Sequence, residues 1–218
     1  MTEHNVLARA LERYGVGEGE DRTRDRIIDA ALRQFELFGI NRSTVEDITR
    51  RSRLARVTLY RRFPSKQQLI DAVIQRELGR FLTDLERDAD QYPGIEDKLT
   101  EGFLFTLHAL RTHPLLNRLL ESEPDTLLPY LTVQGSTFLR TCSEFLATQL
   151  AQALDDDRTG TELLTVSELT VRIIMSFVLT PTAVVDLDEP ATARDFARRY
   201  LQPLLTGTTA PEPKDPRP

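Results

Sequence analysis

The chain has 218 residues, 40% of them hydrophobic and 28% charged, which is enough for one or two globular domains of ordinary composition. No apolar run approaches the roughly 18 residues needed to cross a bilayer, and the opening stretch MTEHNVLARALERYGVGEGE lacks the basic and apolar regions of a signal peptide. A single cysteine, Cys142, rules out an intrachain disulfide and fits a reducing compartment, so a cytoplasmic location with no membrane partner is expected.

The formal net charge of −6 is unevenly spread. Between Arg42 and Lys66, eight Lys/Arg face two acids, Glu46 and Asp47, whereas from Gln67 onward 14 basic residues are outnumbered by 24 acidic ones. An acidic body that carries one concentrated basic segment points to a polyanion partner.

Residues 1–20 carry some apolar periodicity at Val6, Leu7 and Leu11 but end in GVGEGE, and they read as a flexible arm with room for partial helix. Helical period then dominates. Ile27, Ala30, Ala31, Phe35 and Phe38 form an apolar stripe, with Gly39 placed as a helix-ending glycine. STVE, Ser43 to Glu46, has the pattern of a capping box and opens a short helix of about Thr44–Arg51 with Val45 and Ile48 inward. A second short helix spans about Arg56–Phe63. Pro64 closes it, and SKQQ, Ser65 to Gln68, opens a long helix through Leu69, Ile70, Val73, Ile74, Leu78 and Phe81. Beyond Pro93-Gly94 a helix carries Leu99, Phe103, Leu107 and Leu110 and stops near Pro114. Amphipathic stretches follow at about Leu131–Leu154, Thr161–Thr180 and Pro190–Leu205, before a Pro/Thr-rich tail, 206–218, that reads as disordered. Strand-like alternation is nowhere sustained, so the chain is expected to be all-α.

Two short helices joined by three or four residues around Ser52, Arg53 and Leu54 have the spacing of a helix-turn-helix, whose second helix enters the major groove. At about 100° per residue, Leu59 and Phe63 share one side of the second helix with Ala55. Val57, Tyr60 and Arg61 lie largely opposite, with Arg56 at the edge. Arginine donates two hydrogen bonds to guanine and an apolar group meets a thymine methyl, so Arg56, Val57 and Arg61 are expected to face bases. Thr58, Tyr60 and Lys66 suit phosphate oxygens. The N-terminus of the first helix, with Thr44 at its start, can offer backbone N–H groups to a phosphate, and Ser43 beside it belongs to the expected DNA-binding set. Arg53 and Arg62 complete the expected DNA-binding set, although Arg62 lies toward the core side. Arg22, Arg24 and Arg26 are placed to touch backbone or minor groove, or to be plain solvated charges.

The stretch IIDAALRQFELFGINRSTVEDITRRSRLARVTLYRRFPSKQQLIDAVI, residues 27–74, resembles the N-terminal DNA-binding domain of TetR-family transcriptional regulators. FGI at the close of the first helix, TVEDI, and TLYRRFPSK before an apolar helix carry the likeness. The chain departs from the family where Arg53 replaces a frequent glycine, Ala55 a frequent serine cap and Val57 a small residue. The resemblance implies an N-terminal three-helix helix-turn-helix domain, 21–66, followed by a helical effector-binding and dimerisation domain, 67–205. It also implies a repressor whose operator affinity a small hydrophobic or amphipathic effector lowers, with activation or ligand-enhanced binding as the alternative. Phe103, Phe105, His108, Phe138, Cys142, Phe145 and Met175 are the expected pocket residues.

One helix-turn-helix reads few base pairs, so a homodimer on a palindromic double-stranded site is expected. Leu169, Ile173, Ile174 and Phe177 on one helix, and Phe196, Tyr200, Leu201 and Leu204 on another, are the expected interface; the other reading is that both stripes close the monomer's own core. An enzyme is not expected. His108 and His113 are five positions apart and about 140° apart on a helix, Cys142 has no partner, and Asp155–Asp157 lacks the alternating spacing of a calcium loop. Neither a cofactor nor a metal is therefore expected. A helical interaction module without a specific operator is the alternative of a different class.

Overall fold

The computed structural model describes residues 21–133, 135–153, 160–181 and 184–206. The expected arm, the acidic run Asp155–Asp157 and the tail beyond Thr206 lie outside them. The helices are α1 (Arg22–Phe38), α2 (Val45–Ser52), α3 (Arg56–Arg62), α4 (Lys66–Ala89), α5 (Ile95–Thr112), α6 (Pro114–Ser122), α7 (Pro124–Leu131), α8 (Ser136–Ala151), α9 (Gly160–Leu179), α10 (Pro190–Phe196), a π-helical segment (Ala197–Leu201) and α11 (Gln202–Thr206). No strand occurs among the described residues, in keeping with the all-α expectation.

The described residues fall into two compact units: those within 21–85 and 108–142, and those within 86–107 and 143–206. The first contains the helix-turn-helix and is called the head below. Its core joins Ile27, Ile28, Ala31 and Phe35 of α1 to Ile48, Leu59, Phe63, Leu69 and Val73, and is completed by Leu115 and Leu119 of α6. Leu127 of α7 packs against it. The sequence pattern predicts neither α6 nor α7, because Pro114 reads there as a stop. Each helix instead starts on its proline, whose fixed φ and missing N–H suit a first helical position. His113 caps α6, its Nδ1 accepting from the Leu116 N–H at 3.2 Å.

Asp21 opens α1, its carboxylate accepting from the N–H groups of Thr23 at 3.1 Å and Arg24 at 3.2 Å. Gly39 ends the helix at φ 80° and ψ 171°, its N–H donating to the Phe35 carbonyl at 2.8 Å. Phe38 is 47% exposed, contrary to its place in the expected stripe, and Ile40 fills the core instead. The capping box of α2 is one residue later than expected. Thr44, rather than Ser43, accepts from the Asp47 N–H at 3.2 Å, and Asp47 accepts back from the Thr44 N–H at 3.3 Å. The Ser43 hydroxyl is already donated to the Gly39 carbonyl at 2.5 Å. Ser65 begins α4 as expected, accepting from the Gln68 N–H at 3.2 Å.

In the second unit Phe196 stacks on Phe103 at 5.8 Å, meets Phe177 edge-on at 5.4 Å and lies against Tyr200 at 5.1 Å. Leu99, Leu150, Leu163, Val166 and Leu201 of this unit are buried. Arg194 of α10 grips Glu101 of α5 with two hydrogen bonds, 2.6 and 2.8 Å. Those bonds hold the Glu101 carboxyl below the usual glutamate range, outweighing its partial burial. A depressed carboxylate contributes stability that is present above the unfolded pKa and lost as pH falls through the folded one. Because Arg194 is 36% exposed, solvent screening leaves the pair worth about 1 kcal/mol. Glu101→Gln is therefore expected to lower stability by about that amount at about pH 7, and the gap from wild type to narrow as pH falls below the ordinary glutamate range, as measured by urea unfolding.

Candidate nucleic-acid interface

The expected phase of α3 holds where it matters. Leu59 and Phe63 are 1% and 4% exposed and anchor the helix, while Val57 is 79% exposed and Arg56, Tyr60 and Arg61 are exposed beside it. Ala55 departs from the expectation: it is exposed, and as the residue before α3 it provides no side-chain cap. Leu54 is partly buried against the core.

The structure sorts the basic segment into held and free cations. Arg50 pairs with Asp47 at 3.0 Å, and Arg51 Nε donates to Gln34 at 3.1 Å. Arg62 pairs with Asp21 at 2.8 Å, in keeping with its core-side position. Arg56 pairs with Glu46 at 2.6 Å, across from α2, and lies over the Tyr60 ring at 5.3 Å. The hydrogen bond to Tyr60, with Glu46 beside it, pushes the Arg56 guanidinium above its ordinary pKa. Both partners of the Glu46 pair are more than half exposed, so the pair is weak and exchangeable for a nucleic-acid acceptor. The side chains of Arg42, Arg53 and Arg61 are exposed and make no hydrogen bond or ion pair to a described residue. Arg42, on the α1–α2 corner, belongs to the basic segment but has no role predictable from sequence, because a corner has no periodicity.

Arg53 occupies the left-handed region, φ 53° and ψ 36°, at the end of α2. That is the conformation for which the frequent family glycine is suited, and a side chain there costs about 1 kcal/mol. Ser43 is 1% exposed with its hydroxyl donated inward, so it has no free group for a phosphate. Thr44 is exposed but engaged with Asp47, its hydroxyl donating to Oδ2 at 2.6 Å. The Thr44 hydrogen bond holds the Asp47 carboxyl below the usual range. Thr58 is partly buried. Lys66 departs furthest from expectation: its ammonium donates to the Ile40 carbonyl at 2.6 Å, and burial pushes its pKa down against the opposing field of Glu123. Arg24 lies over the Phe63 ring at 5.6 Å and Arg26 donates to the Ser52 carbonyl at 3.0 Å, so both brace the head.

Of the expected pocket residues, Phe103, Phe105, Phe145 and Met175 belong to the second unit, and His108, Phe138 and Cys142 to the first. Phe103 is buried, His108 is exposed, and the others are partly buried. Cys142 keeps some surface, but burial of its sulfur pushes the thiol up to about 12, so it stays protonated at neutral pH. Of the expected interface, Leu169 and Tyr200 are 42% and 54% exposed. Ile173, Phe177, Phe196 and Leu204 are partly buried, whereas Ile174 and Leu201 are 7% and 0% exposed and close the monomer's own core.

A helix-turn-helix with its second helix anchored by Leu59 and Phe63, and its outer face carrying exposed arginines, defines a DNA-binding regulator by class. Residues 27–73 match the profile of the bacterial regulatory proteins of the tetR family, and residues 95–200 that of the bacterial tetracyclin repressor C-terminal domain. The chain belongs to the TetR family, whose members are transcriptional regulators rather than enzymes. An uncharacterised HTH-type transcriptional regulator of Mycobacterium bovis is 26% identical over 131 residues, which span 60% of this chain and 66% of that protein, just under two thirds of it. The TetR-family repressor AlkX of Dietzia sp., implicated in biodegradation of n-alkanes, is 25% identical, with a TM-score of 0.57 over 82% of this chain and 95% of its own. FadR of Bacillus subtilis, solved with stearoyl-CoA, shares the fold at 18% identity and a TM-score of 0.54, covering 84% of this chain and 98% of that one.

Proposed function

We propose that this TetR-family regulator is a homodimeric repressor that reads a palindromic operator and releases it when a hydrophobic or amphipathic small molecule binds. The reading rests above all on the helix-turn-helix, where Val57, Arg61 and Arg53 are exposed and neither guanidinium has a hydrogen-bond or ion-pair partner among the described residues. Arg56 waits at the edge, held only by an exposed pair. The exposed Leu169 and Tyr200 supply apolar surface for a second copy. An apolar effector accords with the aromatic residues of the helical body and with what is said of AlkX.

DNase footprinting of the region upstream of its own gene tests the reading. Protection of a two-fold symmetric site by nanomolar protein supports it, whereas uniform, salt-sensitive binding without a footprint would falsify it. Arg53→Gly gives a finer check. It is expected to raise stability by up to about 1 kcal/mol, because glycine relieves the left-handed strain, while weakening operator binding through the lost cation. Thermal unfolding and a binding titration on one sample read both effects.

A further inference from the structure

The Ile40–Asn41 peptide, on the corner between α1 and α2, is held at both ends. Its carbonyl accepts from the Lys66 ammonium at 2.6 Å, and its N–H donates to Glu123 Oε1 at 2.9 Å. In a trans peptide these groups point in opposite directions. A cation therefore sits at the negative end of the peptide dipole and an anion at its positive end, and both bonds are charge-assisted. Lys66 is the first residue of α4, and Glu123 links α6 to α7. Glu123 is 8% exposed, and its other oxygen is buried without a hydrogen bond to a described residue. The carboxylate lies so close to the corner that a β-carbon on Gly39 would overlap it. Three residues past the clamped peptide, Thr44 caps α2, whose Glu46 in turn holds Arg56 of α3.

From this arrangement we infer that Lys66 and Glu123 are positioning residues for operator reading: together they form a charge clamp on the Ile40–Asn41 peptide that fixes where α2 begins and hence how α3 is presented. The clamp has one arm on α4 and the other on the α6–α7 joint, so a shift of either helix system reaches the reading face through a single peptide unit. Lys66 thereby acts on DNA indirectly, through the fold, and Glu123 joins the reading machinery from outside the helix-turn-helix. The inference rests on the DNA-binding reading above.

The test uses the full-length protein and two duplexes of equal length, one selected by the wild type from a random-sequence library and one unrelated. Glu123→Gln keeps an oxygen acceptor without the charge, and Lys66→Met keeps the length without the charge. Each is expected to lose roughly tenfold in affinity for the selected duplex, to stay within about twofold on the unrelated one, and to keep the wild-type salt slope. The double variant is expected to lose little more than either single one, because both act on one peptide. A Glu123→Gln protein with unchanged preference between the duplexes overturns the inference. So does a Lys66→Met protein weakened equally on both with a salt slope lower by about 1, the signature of a direct phosphate contact.

Hydrogen exchange in the folded protein guards against a variant that merely loosens the head. The Asn41 amide is expected to exchange at least about tenfold faster in Glu123→Gln while those of Ile48 and Leu59 keep their protection. An Asn41 amide already unprotected in the wild type overturns the clamp. A wild type that selects no duplex counts against the DNA-binding reading, and the exchange measurement then still decides whether the clamp exists.

Discussion

Leu119→Ala is expected to destabilise the head by about 2–5 kcal/mol, although residue 119 lies far from the helix-turn-helix in sequence. Leu119 is 6% exposed and belongs to the same core as Phe35, Leu59 and Phe63. Its truncation leaves a cavity in that shared core, where α1 packs against α6, and a close-packed interior relaxes into such a space only in part. Leu37→Ala is the matching control. That leucine lies on α1 within the DNA-binding segment but is 55% exposed, so its loss should stay within about 0.5 kcal/mol. Urea unfolding of the two variants compares them directly. Equal losses would mean that α6 is not part of the head's core.

Gly39→Ala is expected to cost more than about 2 kcal/mol, from two sources that act together. A side chain at φ 80° and ψ 171° occupies a region that essentially only glycine visits, which costs about 1–3 kcal/mol. The new β-carbon would also overlap Glu123 Oε1 and crowd its carboxyl carbon. The Asn41 bond must lengthen to make room, so operator preference is expected to fall along with the melting temperature. Gly79 behaves oppositely. It lies within α4 with nothing within 4 Å of a built β-carbon, so Gly79→Ala is expected to stabilise by about 0.5–1 kcal/mol. A melting temperature for Gly39→Ala at or above that of the wild type would contradict the packing described here.

Much of the DNA-binding segment was legible because its signals are local. The 3.6-residue period put Leu59 and Phe63 inside and Val57 and Arg61 outside, and the structure agrees. Where two local patterns overlapped, the reading slipped. Ser43–Glu46 and Thr44–Asp47 both fit a capping box, and only the Gly39 carbonyl, which takes the Ser43 hydroxyl, decides between them. Phe38 has the phase of the buried stripe, but it is the last residue of α1 and is not covered. Pro114 and Pro124 are ambiguous in sequence, since proline both ends one helix and begins the next. Reading Pro114 only as an end hid α6 and α7, and with them Leu119 and Glu123. The sorting of the cations was out of reach for a different reason. The partners of Arg51, Arg62 and Lys66 are Gln34, Asp21 and a backbone carbonyl at Ile40, each far along the chain from the residue it holds.

The contribution of Leu115 and Leu119 to the head also bears on the order of events during synthesis. A ribosome delivers α1 to α4 first, but these helices lack two core side chains until α6 has emerged. Contacts that span so much sequence form late, after the loop-closure entropy of the intervening chain has been met. A nascent chain stopped after Ala89 is therefore expected to hold its three DNA-binding helices loosely and to expose apolar surface around Phe35. Competence to bind a promoter would be acquired in one late step, when α6 docks, and a prematurely terminated chain would be a substrate for proteases before it could occupy an operator.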